Sequence, residues 1–324
     1  MENRTITDRL SALRQAMARE KIDFYMIPTA DFHNSEYVND YFKVREFFSG
    51  FTGSNGTLVV WKEGAGLWTD GRYFIQAENE LTGTGVTLFR MLQEGVPTIE
   101  EFLQKEMKDG ETLGFDGRVI SAAEGKRYEK ALAGKNIVFS YDKDLAEGIW
   151  TDRPAFPAGQ VSVLPGDIVG KTAGEKLAEV RQELTKKGAE SLLLTKLDDI
   201  MWLFNIRGCD VECNPVAMSY AYITQDGAVL FIRKEALSDE VLSYLGKTGT
   251  EVKEYGEITD FVRALPKNGK NLLDERYVGY NFYKILQEKQ AVTEGKNPTE
   301  LLKAVKNATE LANMEKVYLQ DSVA

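Results

Sequence analysis

The chain repeats itself. Arg9 to Asp31, RLSALRQAMAREKIDFYMIPTAD, lies without a gap on Lys176 to Asp198, KLAEVRQELTKKGAESLLLTKLD, so that Arg14-Gln15 falls on Arg181-Gln182 and Asp31 on Asp198. Each copy opens with an amphipathic helix pattern and runs into a buried strand, FYMIP in one and SLLLT in the other. In the first copy Ile6, Leu10, Leu13 and Met17 share a face, with Thr5 as the cap. In the second, Leu177, Val180 and Leu184 form the face, and Thr172 and Glu175 have capping-box spacing. The parallel persists downstream, where TLVVWKEGAGLWT and SYAYITQDGAVLFI each read as two strands around a glycine-bearing turn. PTIEEFLQKEM before LGFDGRV then answers GEITDFVRALP before LLDERYV. A sequence that uses one α/β unit twice is expected to fold as two similar bodies, each with about six short strands and three or so helices. The antiparallel hairpin at the centre of each excludes a strictly parallel doubly wound sheet and leaves a mixed sheet with helices packed on it.

The stretch TDRPAFPAGQVSVLPG, residues 151–166, holds three of the chain's eight prolines and has no amphipathic period, the composition of a connection between the bodies. The expected divisions are 1–158, 159–298 and a last piece, 299–324. In that piece Leu301, Val305, Ala308, Leu311 and Met314 read as one helical stripe that stops at Ala324 without glycine, proline or cap. Such a stripe is expected to want cover, from a longer chain of which this one is a part.

Forty basic against fifty acidic residues give a net charge of −10, with no Lys/Arg cluster long enough to follow a phosphate backbone, so no nucleic acid is expected as partner. No apolar run approaches the roughly 18 residues of a membrane span. The start, MENRTITDRLSALRQAM, lacks a basic stretch followed by an apolar block. The expectation is a cytoplasmic protein with no membrane partner. Cys209 and Cys213 are too few for a disulfide framework and, as C-x3-C with no second pair, are expected to be buried or half-buried free thiols rather than metal ligands.

FFSGFTGSNGTLVVW, residues 47–61, raises the question of a phosphate cradle. It lacks the lysine of a Walker loop and leads into a strand rather than a helix, which makes it a turn whose glycines serve backbone geometry. His33 is the only histidine, too few for most acid/base triads and catalytic zinc sites; it is read as structural or as a bridge between carboxylates. Asp198 and Asp199 precede a helix and are expected to cap it rather than bind metal. Arg72, in LWTDGRYF, stands where a strand turns into a helix, with an ion pair that locks the turn as its plain role and a cleft-lining one as its sharper role. Residue chemistry alone thus gives a duplicated α/β scaffold with no complete active site.

These segments also carry a resemblance. DFHNSEYV, REFFSGFTGSNGTLVV, LWTDGRYFIQAENEL and LDDIMWLFNIRGCDVECNPVAMSY, in that order, resemble the N-terminal region of the three-domain Xaa-Pro aminopeptidases, relatives of creatinase and prolidase. The resemblance implies an α/β fold of two tandem creatinase/prolidase N-terminal-type domains, each a mixed six-stranded β-sheet flanked by helices. In such enzymes a C-terminal domain with a dinuclear site, usually two Mn or another divalent metal, held by Asp, Glu and His, removes an N-terminal residue when proline follows it. None of those ligands has a matching position here, so this segment is expected to hold no catalytic residue, no metal and no cofactor. Its last residues, from Asn297, resemble the helix that opens the catalytic domain. The implied partners are the protein's own C-terminal catalytic domain, peptides with proline in second position and, for the full-length form, a second copy in a homodimer. The implied role is to wall the cleft and mediate domain or subunit contacts. Arg207, Asn205 and Asn214 of NIRGCDVECNP are the candidates for facing the substrate, and Arg72 and His33 those for a domain or subunit junction. The alternative is a stand-alone, pseudo-peptidase-like binding module.

Overall fold

In the computed structural model, which describes residues 5–323, Thr5 Oγ1 accepts the Asp8 N–H and the Asp8 carboxylate accepts the Thr5 N–H, a capping box that starts α1 (Ile6–Glu20). There follow β1 (Phe24–Pro28), α2 (Val44–Ser49), β2 (Thr57–Trp61), β3 (Ala65–Thr69), α3 (Phe74–Leu81), β4 (Thr87–Arg90), α4 (Ile99–Glu106), β5 (Thr112–Phe115), α5 (Ala122–Leu132) and β6 (Val138–Ser140). The six strands form one sheet in the order β4-β3-β2-β1-β5-β6. The β1-β2-β3 stretch is antiparallel, and β4, β5 and β6 are added parallel to their neighbours. Both faces are covered. Tyr25, Ile27, Leu58 and Val60 pack with Leu10, Leu13, Phe48 and Ala77 on one face. Phe24, Met26, Val59 and Trp68 pack with Phe102, Leu103, Tyr128 and Leu132 on the other. That double burial is why β1 reads as a continuous apolar run instead of an alternating one.

In chain order come β7 (Ser162–Val163), α6 (Gly166–Val169), α7 (Ala173–Lys186), β8 (Ser191–Leu194), α8 (Leu197–Phe204), β9 (Ile206–Arg207), β10 (Ser219–Thr224), β11 (Ala228–Ile232), α9 (Asp239–Lys247), β12 (Thr250–Glu254), α10 (Ile258–Ala264), β13 (Asn271–Leu273), α11 (Tyr280–Glu288), β14 (Val292–Glu294), α12 (Pro298–Ala304) and α13 (Ala308–Val323). The second sheet, β12-β11-β10-β8-β13-β14, has the same order and the same mixture of parallel and antiparallel pairs. One compact unit runs to Phe156 and includes Gly279–Asn281; the other takes Pro157–Val278 and the residues from Phe282 onward.

The duplication extends to single hydrogen bonds. Arg14 of α1 donates from Nε to the Trp61 carbonyl at the end of β2 (3.0 Å), and Arg181 of α7 donates from Nε to the Thr224 carbonyl at the end of β10 (2.9 Å). Each arginine ties its helix to the hairpin turn of its own sheet.

Two expectations change. The stretch 151–166 is not all linker, because Ser162 and Val163 pair antiparallel with Arg207 and Ile206, and Val161 is buried. The alternation V-S-V was a strand signal hidden among prolines. The terminal stripe is not one helix. Val305 leaves the helical region, and Asn307 restarts the chain with its own capping box, its Oδ1 accepting the Glu310 N–H (3.0 Å) and Glu310 accepting the Asn307 N–H (2.9 Å). Leu301 and Val305, each 70% exposed, therefore do not share a face with Met314.

Candidate functional site

In the first unit β1, β3, β4, β5 and β6 run in one direction, so the segments leaving their carboxyl ends share an edge of the sheet. Three motifs from the sequence arrive there. After β1, Asp31 Oδ1 accepts the backbone N–H groups of His33 (2.8 Å) and Ser35 (2.9 Å), a side-chain-closed turn that leaves His33 buried. After β3, Arg72 forks onto Asp70, Nε to Oδ1 and Nη2 to Oδ2 at 2.9 Å each, while Asn55 donates to Oδ2 at 2.7 Å. The hydrogen bonds from Arg72 and Asn55 hold the Asp70 carboxyl well below the usual carboxylate range. After β5, Asp116 and Arg118 repeat the clip, and in the second unit Asp274 and Arg276 repeat it after β13. Arg72 thus does lock its turn; its guanidinium stays exposed, over the Tyr73 ring.

The glycine loop between α2 and β2 is organised from inside by Arg45, a residue that no motif or spacing singles out. Only 4% exposed, it donates from Nε to Thr29 Oγ1 (2.8 Å), from Nη1 to the Phe51 carbonyl (2.7 Å) and from Nη2 to the Gly53 carbonyl (2.5 Å). Burial lowers it to about 10. Gly50 caps α2 in the left-handed region, and a Cβ on Gly53 would stand 2.2 Å from the Phe51 ring. Backbone carbonyls point inward at a cation, the opposite of the N–H cradle that a phosphate needs.

The second unit uses the same element in another way. FFSGFTG (47–53) and WLFNIRG (202–208) end a helix with a left-handed residue, Gly50 in one and Asn205 in the other. In each a cation from the unit's first long helix lies over the aromatic ring and donates to that residue's carbonyl: Arg9 on Phe47 (2.9 Å) and Lys176 on Trp202 (3.0 Å). Lys176 is buried and also donates to Asn205 Oδ1 (2.6 Å), and Asn205 Nδ2 donates to the Lys171 carbonyl (2.9 Å). Burial pushes Lys176 down to about 8, helped by the nearby Arg207 and Lys171 and opposed by Glu310. Asn205 and Arg207 line one cavity of about 400 Å³ with Lys176, Trp202 and residues of α6 and α13. Asn214 does not reach it. It closes the turn Val211–Asn214, in a hairpin whose base is set by Asp210, which accepts the Gly159 and Met218 N–H groups. Arg72 and His33 belong to the first unit and Asn205, Arg207 and Asn214 to the second.

Two readings of residue roles are corrected. Asp198 and Asp199 do not cap α8, which begins after Lys196 with no side-chain cap. They sit in its first turn, and both pair with Lys303 of α12; the buried Asp199 also accepts from Thr299 Oγ1 (2.7 Å). The helix has no short polar side chain at the capping position, and a cation from α12 claims both carboxylates. Cys209 and Cys213 are free but exposed, being carried in and beside the Val211–Asn214 turn instead of on an apolar face. Lys176 escapes sequence reading although a signal exists, since it interrupts the apolar stripe Ala173, Leu177, Val180 on the buried side of α7.

Among the described residues no group of three or more His, Cys, Asp or Glu stands close enough to hold a metal ion, and no helix is long and apolar enough to cross a membrane. The donor set of a dinuclear centre does not fit the residues present.

Comparison with known proteins agrees with the duplicated fold. Profiles of the creatinase/prolidase N-terminal domain match residues 9–142 and 152–310. A probable Xaa-Pro aminopeptidase P of Sordaria macrospora is 38% identical over 330 residues, covering 98% of this chain and 54% of that protein. One from Talaromyces marneffei is 38% identical over 335 residues, 100% of this chain and 50% of that protein. The crystal structure of X-prolyl aminopeptidase from Caenorhabditis elegans, described as a cytosolic enzyme with a di-nuclear active site, matches with a TM-score of 0.92 at 30% identity, over 99% of this chain and 55% of that one. The chain spans about half the length of these relatives and corresponds to their N-terminal part. With each half matched by the same domain family, the protein belongs to the creatinase/prolidase N-terminal domain family, as a tandem pair of such domains.

Proposed function

We propose that the chain is the non-catalytic N-terminal region of a proline-specific metallo-aminopeptidase, which releases the first residue of peptides whose second residue is proline. One observation carries this reading: nearly the whole chain matches about half of each Xaa-Pro aminopeptidase relative. The hydrolytic centre, a pair of manganese or other divalent ions, then belongs to a C-terminal domain outside these residues, and no catalytic step is routed through the present side chains. A cytoplasmic setting is supported by the solved relative, which is called cytosolic.

The role left to this segment is positioning. A peptide with proline in second place is stiff and lacks one backbone N–H, so its ends must be fixed from outside, and a misplacement of about 1 Å can cost a hundredfold in rate. The Asn205–Arg207 turn and the Asn214 hairpin supply part of the cleft wall, and the exposed, clipped Arg72 and the loop carrying His33 serve a domain or subunit junction, including that of a homodimer. In the full-length enzyme Arg207→Ala and Asn214→Ala are expected to lower kcat/KM about tenfold with the far-UV spectrum and Tm retained. Unchanged kinetics would remove this loop from the cleft.

A further inference from the structure

Arg207 carries a desolvation cost that no carboxylate among the described residues offsets. Its guanidinium is half-buried, and burial alone moves it below its ordinary range. No carboxylate among the described residues pairs with it; Nη1 donates only to the carbonyls of Met201 (3.2 Å) and Ile206 (2.8 Å). In the first unit the equivalent residue, Thr52, is closed off by Glu80, which accepts both its N–H (2.9 Å) and its hydroxyl (2.7 Å). Among the described residues the second unit has no such lid. It has instead the cavity of about 400 Å³, whose polar part is formed by Lys176, Asn205 and Arg207 with Lys306, which lies between α12 and α13, and Glu310 and Asn313 of α13. Its walls are apolar, with Leu164, Val169, Met314 and Tyr318 among them. The lining therefore sets three cations against one carboxylate. Trp202, which also lines the cavity, has a buried indole N–H without an acceptor.

Two neighbouring desolvated cations are stabilised by an anion, and the planar fork of arginine fits a carboxylate in two parallel hydrogen bonds. Glu310 in the same lining disfavours a dianion such as phosphate, and the apolar walls favour a ligand with a hydrocarbon body. We propose that this cavity binds the carboxylate of a small ligand with an apolar body, anchored by Arg207, with Lys176 and Lys306 supplying the surrounding positive field. An organic acid and the C-terminus of a short peptide share that chemistry. The inference deepens the placement of Asn205 and Arg207 in a binding locus and needs no hydrolysis, so its failure and that of the peptidase reading are separate outcomes.

Calorimetric titration of this chain with 4-phenylbutyrate and, as uncharged control, 4-phenylbutanamide tests it. The acid is expected to bind at least about tenfold more tightly than the amide. R207Q should erase that preference, and E310Q, which keeps the helix cap and removes the like charge, should tighten the acid severalfold. Acetyl-Ala-Phe and its C-terminal amide form the second arm: an acid preference larger than that of phenylbutyrate assigns the site to peptide ends, a smaller one to organic acids. Equal binding of acid and amide, or no saturable heat from either acid with the unaltered, folded chain, would overturn the proposal, and neither result depends on a variant.

Discussion

Replacing Arg45 by methionine is expected to lower the unfolding free energy of the first unit by about 3 kcal/mol. Methionine refills much of the volume but leaves the buried carbonyls of Phe51 and Gly53 without a donor, each costing roughly 1–3 kcal/mol. Arg45→Lys keeps a charge but cannot fork onto two carbonyls while also reaching Thr29, so it should recover less than half of the loss. Urea unfolding followed by tryptophan fluorescence measures this, because Trp61, Trp68 and Trp150 lie in the first unit and only Trp202 in the second. A loss under about 1 kcal/mol would mean that the glycine loop holds its shape without the buried guanidinium.

The second large effect concerns the last helices. Asp199 is fully buried, accepts from Thr299 Oγ1 and forms an ion pair with Lys303 Nζ, each at 2.7 Å, which ties α12 to α8. Asp199→Ala should cost about 2–3 kcal/mol, since it strips one of two carboxylates from a half-buried ammonium and leaves a buried hydroxyl unpaired. Thr299→Val, which removes only the hydroxyl bond, should cost about 1 kcal/mol. Hydrogen exchange across residues 298–304 is the direct readout, and unaltered exchange in Asp199→Ala would contradict the tether. Its pH dependence has a definite sign. Burial presses Lys303 down, but the hydrogen bonds to Asp198 and Asp199 outweigh it and raise the group above its ordinary value of 10.5. A raised lysine contributes stability that is full below its unfolded value and fades as pH climbs through the folded one, so on the lysine side the tether holds through neutral and mildly alkaline pH.

Much of the fold was legible because its signals are local. Thr5 and Thr172 announce their helices within one turn, and the hairpins announce themselves by alternation around a glycine. The same local reading missed Asn307, although N-A-T-E spells a capping box, because the apolar spacing across it looked continuous. What stayed hidden depends on distant partners or on backbone shape. Asp199 looks like a cap until Lys303, far along the chain, claims it. FFSGFTG and WLFNIRG share no side-chain motif beyond an aromatic start and a closing glycine; their kinship lies in a left-handed cap and a cation stacked above a ring. The segments between strand and loop also differ in length, so the gapless repeat ends before reaching them. Of the site candidates, spacing alone put Asn205 beside Arg207, whereas their relation to Lys176 and α13 required the fold.

Hydrolysis of an Xaa-Pro peptide by the purified 324-residue chain, with excess manganese and with or without a chelator, tests most directly whether the chemistry lies outside these residues. No turnover above the enzyme-free rate is expected under either condition. Turnover that the chelator abolishes would put a working metal centre inside this chain and contradict its assignment as the non-catalytic region.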